Sequence, residues 1–214
     1  MYIDLVFLEN RNRQINLLKK KGYSGVFFIC ENNEDIKNPK IKDNFLEVYV
    51  SLKPSKKYVS LGIFDNILEF KQNLERYDLF LLDFRLKEDK MDYRNSLFNP
   101  SLAYLPKLKK GLLFPLSFFE NISDKEDFIY KQEILGRFQQ NIKIVKKKKS
   151  MFLPIICSLY NKKFSLDPLD RQCFGQLLGL NPLEAKKSIG DNLLFLLKQK
   201  YIREDSFLIF RVDS

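Results

Sequence analysis

The sequence predicts an α/β protein: a compact, irregular (β/α) TIM-like barrel formed as a single domain over residues 1–214. Short, continuously apolar runs recur along the chain, and amphipathic helical patterns separate them. Some connections are too short for a full helix, which favours an irregular barrel. An open doubly wound sheet is the second choice. With 214 residues, of which 45% are hydrophobic, the chain is long enough to bury one sizeable core.

The candidate strands are mostly apolar throughout, as expected for parallel strands that are buried on both faces. In chain order they span 3–8, 25–30, 45–52, 78–84, 111–118 and 154–159, with a further candidate at 207–212. Pro115 and Pro154 each remove a donor from the sheet, so we expect those two strands to begin near the proline or to be locally irregular.

Helix starts are indicated by Asn or Asp followed by proline at 99–102, 167–170 and 181–184. Ser123 and Glu126 predict a capping box, and the helix after it carries an apolar stripe. The stripe consists of Phe128, Leu135, Phe138, Ile142 and Val145.

Four lysines at 146–149 end that helix, directly before a buried strand. Cations at a helix C-terminus interact favourably with its exposed carbonyl groups. In βα units this end of the helix lies away from the face where sites are built. We therefore interpret the lysine run as a solvated helix end rather than as a specific RNA contact.

Composition excludes several classes of site. The chain has no histidine, which removes Ser-His-Asp triads, Cys-His pairs and His-ligated zinc or iron. Its three cysteines lie far apart, which indicates reduced thiols in a cytosolic type of compartment. No phosphate-binding glycine motif is present. No apolar stretch reaches the length of a membrane span, so we expect no membrane partner and a cytoplasmic location, or a nuclear or nucleolar one in a eukaryotic source.

Basic residues follow the predicted strands at several separate points. The chain carries 37 Lys and Arg against 27 Asp and Glu, a net charge of +10, which favours a polyanionic partner. Functional residues of such folds gather at the carboxyl ends of the strands. The cations predicted there to contact a phosphate-rich ligand such as RNA are Lys53, Lys56, Lys57, Arg85, Lys87, Lys162 and Lys163. The alternative is that the loops of a basic protein are basic everywhere.

Three carboxylates, Glu9, Glu31 and Asp83, lie at the ends of predicted strands. They leave open an alternative function, a metal-dependent phosphoesterase that binds Mg²⁺ or Mn²⁺ without histidine. A protein–protein adaptor without RNA contact is a third class. An adaptor differs from an RNA-binding protein in that substitutions in its basic loops would not affect function.

Several segments resemble protein component 3 of ribonuclease P, the 30-kDa-type subunit family, in its archaeal form. They are "LLKKKGYSGVFF" (17–28), "RFQQNIKIVKKKKSMFLPIICS" (137–158) and "DPLDRQCFGQLLGLNPLEAKKSI" (167–189), with a looser likeness in "SLAYLPKLKKGLLFPLSF" (101–118). Where the family often has Arg, this chain has Leu166 and Leu169. Lys162, Lys163 and Arg171 are nearby substitutes as RNA contacts.

The resemblance implies a barrel-like fold and a noncatalytic role in a ribonucleoprotein that removes the 5′ leader from pre-tRNA. The implied partners are the ribonuclease P RNA and protein component 2, in a heterodimer or heterotetramer, with pre-tRNA contacted indirectly. The protein itself would need no cofactor, and Mg²⁺ is expected on the RNA of the complex. We expect an apolar patch around the helices at 168–197 to meet component 2.

Overall fold

The computed structural model describes residues 1–65, 67–82, 109–119, 125–146, 150–159 and 166–201. Its strands are β1 (Ile3–Phe7), β2 (Gly25–Cys30), β3 (Lys40–Lys42), β4 (Phe45–Ser51), β5 (Leu61–Phe64), β6 (Leu79–Leu82), β7 (Lys110–Pro115) and β8 (Phe152–Cys157). Its α-helices are α1 (Arg11–Lys20), α2 (Ile67–Gln72), α3 (Lys125–Val145), α4 (Pro168–Leu177), α5 (Pro182–Ser188) and α6 (Asp191–Tyr201).

The described strands form two four-stranded sheets. In the first, ordered β1-β2-β4-β3, three strands are parallel and β3 is antiparallel to β4. In the second, ordered β5-β6-β7-β8, all neighbouring strands are parallel. Isolated parallel bridges join Val6 to Leu159 and Ser51 to Ser60. The predicted α/β class with parallel sheets is confirmed, whereas no single closed sheet is present in this part of the chain.

Burial explains why the strands are apolar throughout. Every residue of β2 is buried. Phe27 and Ile29 belong to a large core that collects residues from both sheets. Val26 and Phe28 face the other side, where they pack with Leu18 of α1 in a smaller cluster. A strand that is covered on both faces has no solvent-facing positions for polar residues.

The six predicted strands with described residues are confirmed in position, but their ends differ. Pro115 is the last residue of β7, and a short 3₁₀ helix, Leu116–Phe119, follows it. Pro154 lies inside β8, at the edge of the second sheet, where one side of the strand needs no ladder donor. Strands β3 and β5, which have only three and four residues, were not predicted from the sequence. The candidate strand at 207–212 lies outside the described residues.

Two predicted helix starts are confirmed by their caps. The Asp167 side chain accepts a hydrogen bond from the Asp170 N–H at 2.9 Å. Asn181 forms a full capping box with Glu184, with reciprocal bonds of 2.9 and 2.8 Å. The starts at 99–102 and at Ser123 lie outside the described residues. On α3, the predicted stripe is buried at Phe138, Ile142 and Val145.

Candidate nucleic-acid interface

The loop between β4 and β5 presents three of the predicted RNA-binding cations, Lys53, Lys56 and Lys57, which are all exposed. The loop is held by its own serines. Ser51 Oγ accepts from the Lys53 N–H at 3.0 Å, and Ser55 Oγ accepts from the Tyr58 N–H at 3.0 Å. The Lys57 ammonium lies 5.2 Å from the centre of the Tyr58 ring. These contacts give the exposed lysines a defined backbone support.

This loop lies at the carboxyl end of β4 but also at the amino end of the second sheet. The Asp78 carboxylate, directly before β6, accepts from the Ser60 N–H at 3.0 Å and from Lys200 Nζ at 2.9 Å. Lys200 also donates to the Ser55 carbonyl. The loop therefore touches the end of the second sheet opposite to the one predicted to carry the site. Arg85, Lys87, Lys162 and Lys163 lie outside the described residues, so convergence of the seven cations stays a prediction.

Arg171 is fully buried, so its side chain is not accessible to RNA in this structure. Its guanidinium contacts both oxygens of Asp4, with the Nη1–Oδ1 bond at 2.7 Å, and also donates to Ser158 Oγ. The Tyr23 ring covers it at 4.9 Å. The structure therefore does not place Arg171 where the predicted RNA contact requires it, because its guanidinium is bonded to an internal carboxylate.

The Asp4–Arg171 pair joins three distant parts of the chain. Asp4 lies in β1, Arg171 in α4, and Ser158 directly after β8. Asp4 Oδ1 also accepts from the N–H groups of Leu5 and Ser158, at 2.7 and 3.0 Å. Burial is the largest single influence and lowers the pKa of Arg171, but the charges of Asp4 and Tyr23 and the hydrogen bonds to Asp4 together outweigh it, so the pKa is raised. Arg171 is therefore a buried, charged residue that connects α4 to β1 and to the end of β8.

Lys146 is the one described member of the lysine run, and it has a structural role. Helix α3 ends at Val145, directly before it, as the lysine interpretation predicts. Lys146 Nζ donates to the Gly179 carbonyl at 2.8 Å and lies 3.1 Å from Glu184 Oε2. It thereby ties the end of α3 to the α4–α5 turn. The lysines at 147–149 lie outside the described residues.

The described residues do not form the metal site considered for Glu9, Glu31 and Asp83. Glu9 and Glu31 are exposed, and Asp83 lies outside the described residues. Within the described part of the chain, no group of three His, Cys, Asp or Glu side chains is arranged to hold a metal ion. Nor does any helix there have the length and apolarity needed to cross a membrane.

A second basic surface, not predicted from the sequence, lies between α1 and the β3–β4 hairpin. It is a cavity of about 300 Å³ whose lining includes Arg11, Lys19, Lys42, Asp43 and Glu47. We call it the α1–hairpin groove. Glu47 is the organising residue, because its side chain is only 3% exposed and accepts both Nε and Nη2 of Arg11, at 2.7 and 2.6 Å.

The hairpin that forms one wall of this groove turns through Asp43 and Asn44. Their φ angles are +52° and +57°, as a two-residue type I′ turn requires. The turn places Lys42 opposite Phe45 and Lys40 opposite Glu47. Two features of the sequence could have predicted the groove. One is the alternating "KIKDN" at 40–44, and the other is the absence of acidic residues from 10 to 21.

Comparison with known proteins supports the fold. No family model matches this chain, and no curated protein matches it either. Among solved structures, it is similar to a chain in the "cryo-EM structure of archaeal Ribonuclease P with mature tRNA". The TM-score is 0.64 at 17% sequence identity, and the match covers 99% of this chain and 97% of that one. At this identity, the likeness shows a shared fold.

Proposed function

We propose that this protein belongs to the class of noncatalytic, RNA-binding α/β proteins that act as subunits of ribonucleoproteins. Its net charge of +10 favours a polyanionic partner. Exposed lysines on an ordered loop supply phosphate contacts, and a fold without histidine offers few means of catalysis. The classes of function that need a His-ligated metal or a nucleophile–His pair are excluded by composition.

Within that class, the best-supported candidate is protein component 3 of ribonuclease P, the 30-kDa-type subunit. The observation that carries this proposal is the likeness, over nearly the full length of both chains, to a chain of an archaeal ribonuclease P structure. The segment resemblances at 17–28, 137–158 and 167–189 point independently to a subunit of the same kind of complex and favour component 3 within it. Sequence pattern and tertiary fold thus lead to one ribonucleoprotein.

The proposed family fold is a barrel, and two seams between the sheets support it. At one seam, the Leu159 N–H donates to the Leu5 carbonyl at 3.0 Å, and the Phe7 N–H donates to the Leu159 carbonyl at 2.9 Å. At the other, the Ser51 N–H donates to the Val59 carbonyl at 2.9 Å. Together with the core that both sheets share, these bonds fit an irregular ring of parallel strands ordered β1-β2-β4-β5-β6-β7-β8.

In the proposed role, the RNA cleaves the pre-tRNA 5′ leader with its own Mg²⁺, and this protein binds and stabilises the RNA. It contacts pre-tRNA only indirectly and acts in the cytoplasm, or in the nucleus or nucleolus of a eukaryotic source. Lys53, Lys56 and Lys57 remain proposed RNA contacts, together with Arg85, Lys87, Lys162 and Lys163. Each lost phosphate contact would reduce the slope of log K against log salt concentration by about 0.7–0.9.

Protein component 2 is the proposed protein partner, and exposed leucines on α4 and α5 offer a surface for it. Leu169, Leu177 and Leu183 are 66%, 57% and 61% exposed. Leu169→Ser combined with Leu177→Ser should weaken co-purification with component 2. Ile129→Ser, on α3 and 61% exposed, serves as a matched control. Equal weakening by both variants would contradict this surface.

Reconstitution tests the function as a whole. We expect the cognate ribonuclease P RNA and its other protein components to process pre-tRNA better with this chain than without it, and the chain alone to cleave nothing. A chain that binds neither the RNA nor component 2 would refute the proposal. Cleavage of phosphodiesters by the isolated chain with Mg²⁺ or Mn²⁺, lost on Glu9→Ala, Glu31→Ala or Asp83→Ala, would establish the phosphoesterase alternative. Binding to component 2 with no effect of the loop lysines would establish the adaptor.

A further inference from the structure

The outer face of β4 is not covered by a helix from the connection that follows it, because the β4–β5 connection contains none. Parallel strands are usually connected by a helix that packs on the sheet. Residues 52–60, which lead from β4 to β5, contain no helix. The outward residues Phe45, Glu47 and Tyr49 are nevertheless almost fully buried, because α1 and the hairpin lie beside them. The α1–hairpin groove is the gap that remains above this part of the strand.

A fixed ion pair forms the floor of the groove. The Tyr49 hydroxyl donates a hydrogen bond to Glu47 Oε2 at 3.3 Å, in addition to the two bonds from Arg11. Hydrogen bonding to Glu47 raises the pKa of Arg11, so the arginine stays charged at any physiological pH. One of its nitrogens, Nη1, turns away from Glu47 to Asn12 Oδ1 at 3.0 Å. Glu47 thus fixes a guanidinium in the lining of a concave site.

Further cations surround that floor. Lys19 lies over the Phe45 ring at 5.4 Å, and only 3.9 Å from the exposed carboxylate of Asp43. Lys40 lies 3.8 Å from Glu47 Oε2, with its side chain 43% exposed. Lys42 is exposed in the lining. The lining therefore holds three cations, with Lys40 beside it, against two carboxylates, of which Glu47 is buried.

We propose that the α1–hairpin groove binds the sugar–phosphate backbone of RNA, an inference that rests on the RNA-binding function proposed above. Its cations suit phosphates, and the side-chain amides of Asn12 and Asn16 in the lining can donate to phosphate or sugar oxygens. The Phe45 ring is only 2% exposed, so it offers no platform on which a base could stack. The groove is therefore a backbone contact that positions the RNA without reading its sequence.

Two variants of opposite sign test this site. Lys19→Ala with Lys42→Ala removes two groove cations. Lys186→Ala with Lys187→Ala removes two exposed lysines from the last turn of α5 and is the matched control. Asp43→Asn removes one carboxylate and keeps a residue type that tolerates the positive φ of the turn. The probe is the cognate ribonuclease P RNA, titrated with the full-length protein over a range of salt concentrations.

The groove variant is expected to flatten the slope of log K against log salt by about 1.4–1.8 if both contacts are lost. Between 50 and 200 mM salt, its affinity would then fall roughly tenfold less than that of the wild type. The control should keep the wild-type slope, and Asp43→Asn should bind more tightly at low salt, with the gain vanishing at high salt. Lys19→Arg with Lys42→Arg should restore the slope.

The outcomes separate this inference from the function on which it rests. A wild-type chain that does not bind the RNA refutes the proposed function itself. A wild type that binds, together with a groove variant that keeps its slope, refutes the groove and leaves the function standing. A groove variant that binds RNA normally but loses component 2 assigns the groove to an acidic protein segment, which also overturns the inference.

Discussion

Breaking the buried Asp4–Arg171 pair on one side is expected to destabilise the fold much more than replacing both residues. Asp4→Asn leaves a guanidinium with no anion in a site of 0% exposure. Arg171→Met leaves a buried carboxylate that keeps the N–H groups of Leu5 and Ser158. Loss of one partner of a buried pair costs about 3–5 kcal/mol. At about 2–4 °C per kcal/mol for a chain of this size, each single variant should melt about 6–20 °C lower.

The double variant Asp4→Asn/Arg171→Met should be more stable than either single variant. It leaves no uncompensated charge, and the Asn Oδ1 can still accept the two backbone N–H groups that Asp4 accepts. It still loses the cation–π contact between Arg171 and Tyr23, worth about 2 kcal/mol when desolvated, so it should remain below the wild type. Urea unfolding followed by circular dichroism measures all four corners of this cycle.

This cycle also distinguishes the two roles considered for Arg171. Destabilisations that simply add would show that the two side chains do not interact. An Arg171→Met protein as stable as the wild type, but with weaker binding and a flatter salt slope on the ribonuclease P RNA, would refute the structural role. Arg171 would then be an RNA contact, as the sequence resemblance predicted. If folded Arg171→Met binds the RNA with the same salt slope as the wild type, the result supports a structural role for Arg171.

Three further predictions concern other contacts. Lys146→Ala should lower the free energy of unfolding, measured in urea, by about 1 kcal/mol, because it loses the bonds to Gly179 and Glu184. The loss is limited because those bonds are partly exposed to solvent. The variant should leave the salt slope of RNA binding unchanged. A flatter slope would make Lys146 an RNA contact. Asn44→Val should destabilise the hairpin by about 1–3 kcal/mol, since a β-branched residue there is strained at φ +57°. Asn44→Gly should be tolerated, and equal losses would contradict the turn. Burial raises the pKa of Cys30 to about 11 from 9.0, so iodoacetamide at pH 8 should label the exposed Cys173 and spare Cys30. Because the raised pKa favours the protonated thiol in the folded state, the Cys30 contribution to stability should be lost as the pH rises from about 9 to 11.

The sequence by itself determined the features that depend on neighbouring residues. Asp167 and Asn181 cap α4 and α5 as predicted, because an N-cap bond spans only three residues. The buried strands were found from their apolar runs, since burial on both faces removes polar positions. The lysine run was correctly predicted to follow the end of a helix, because the apolar stripe of α3 stops at Val145.

Tertiary structure decided the features that depend on distant residues. The resemblance proposed Arg171 as an RNA contact, and the local sequence could not reveal its ion pair because Asp4 lies 167 positions away. Arg11 and Glu47 are 36 positions apart, and only the packing of α1 beside the hairpin brings them together. The loop of Lys53 was expected at one end of the sheets, yet its contact with Asp78 ties it to the other end of the second sheet. Ion pairs and loop positions are set by which surfaces the folded chain brings into contact, and local pattern does not encode that.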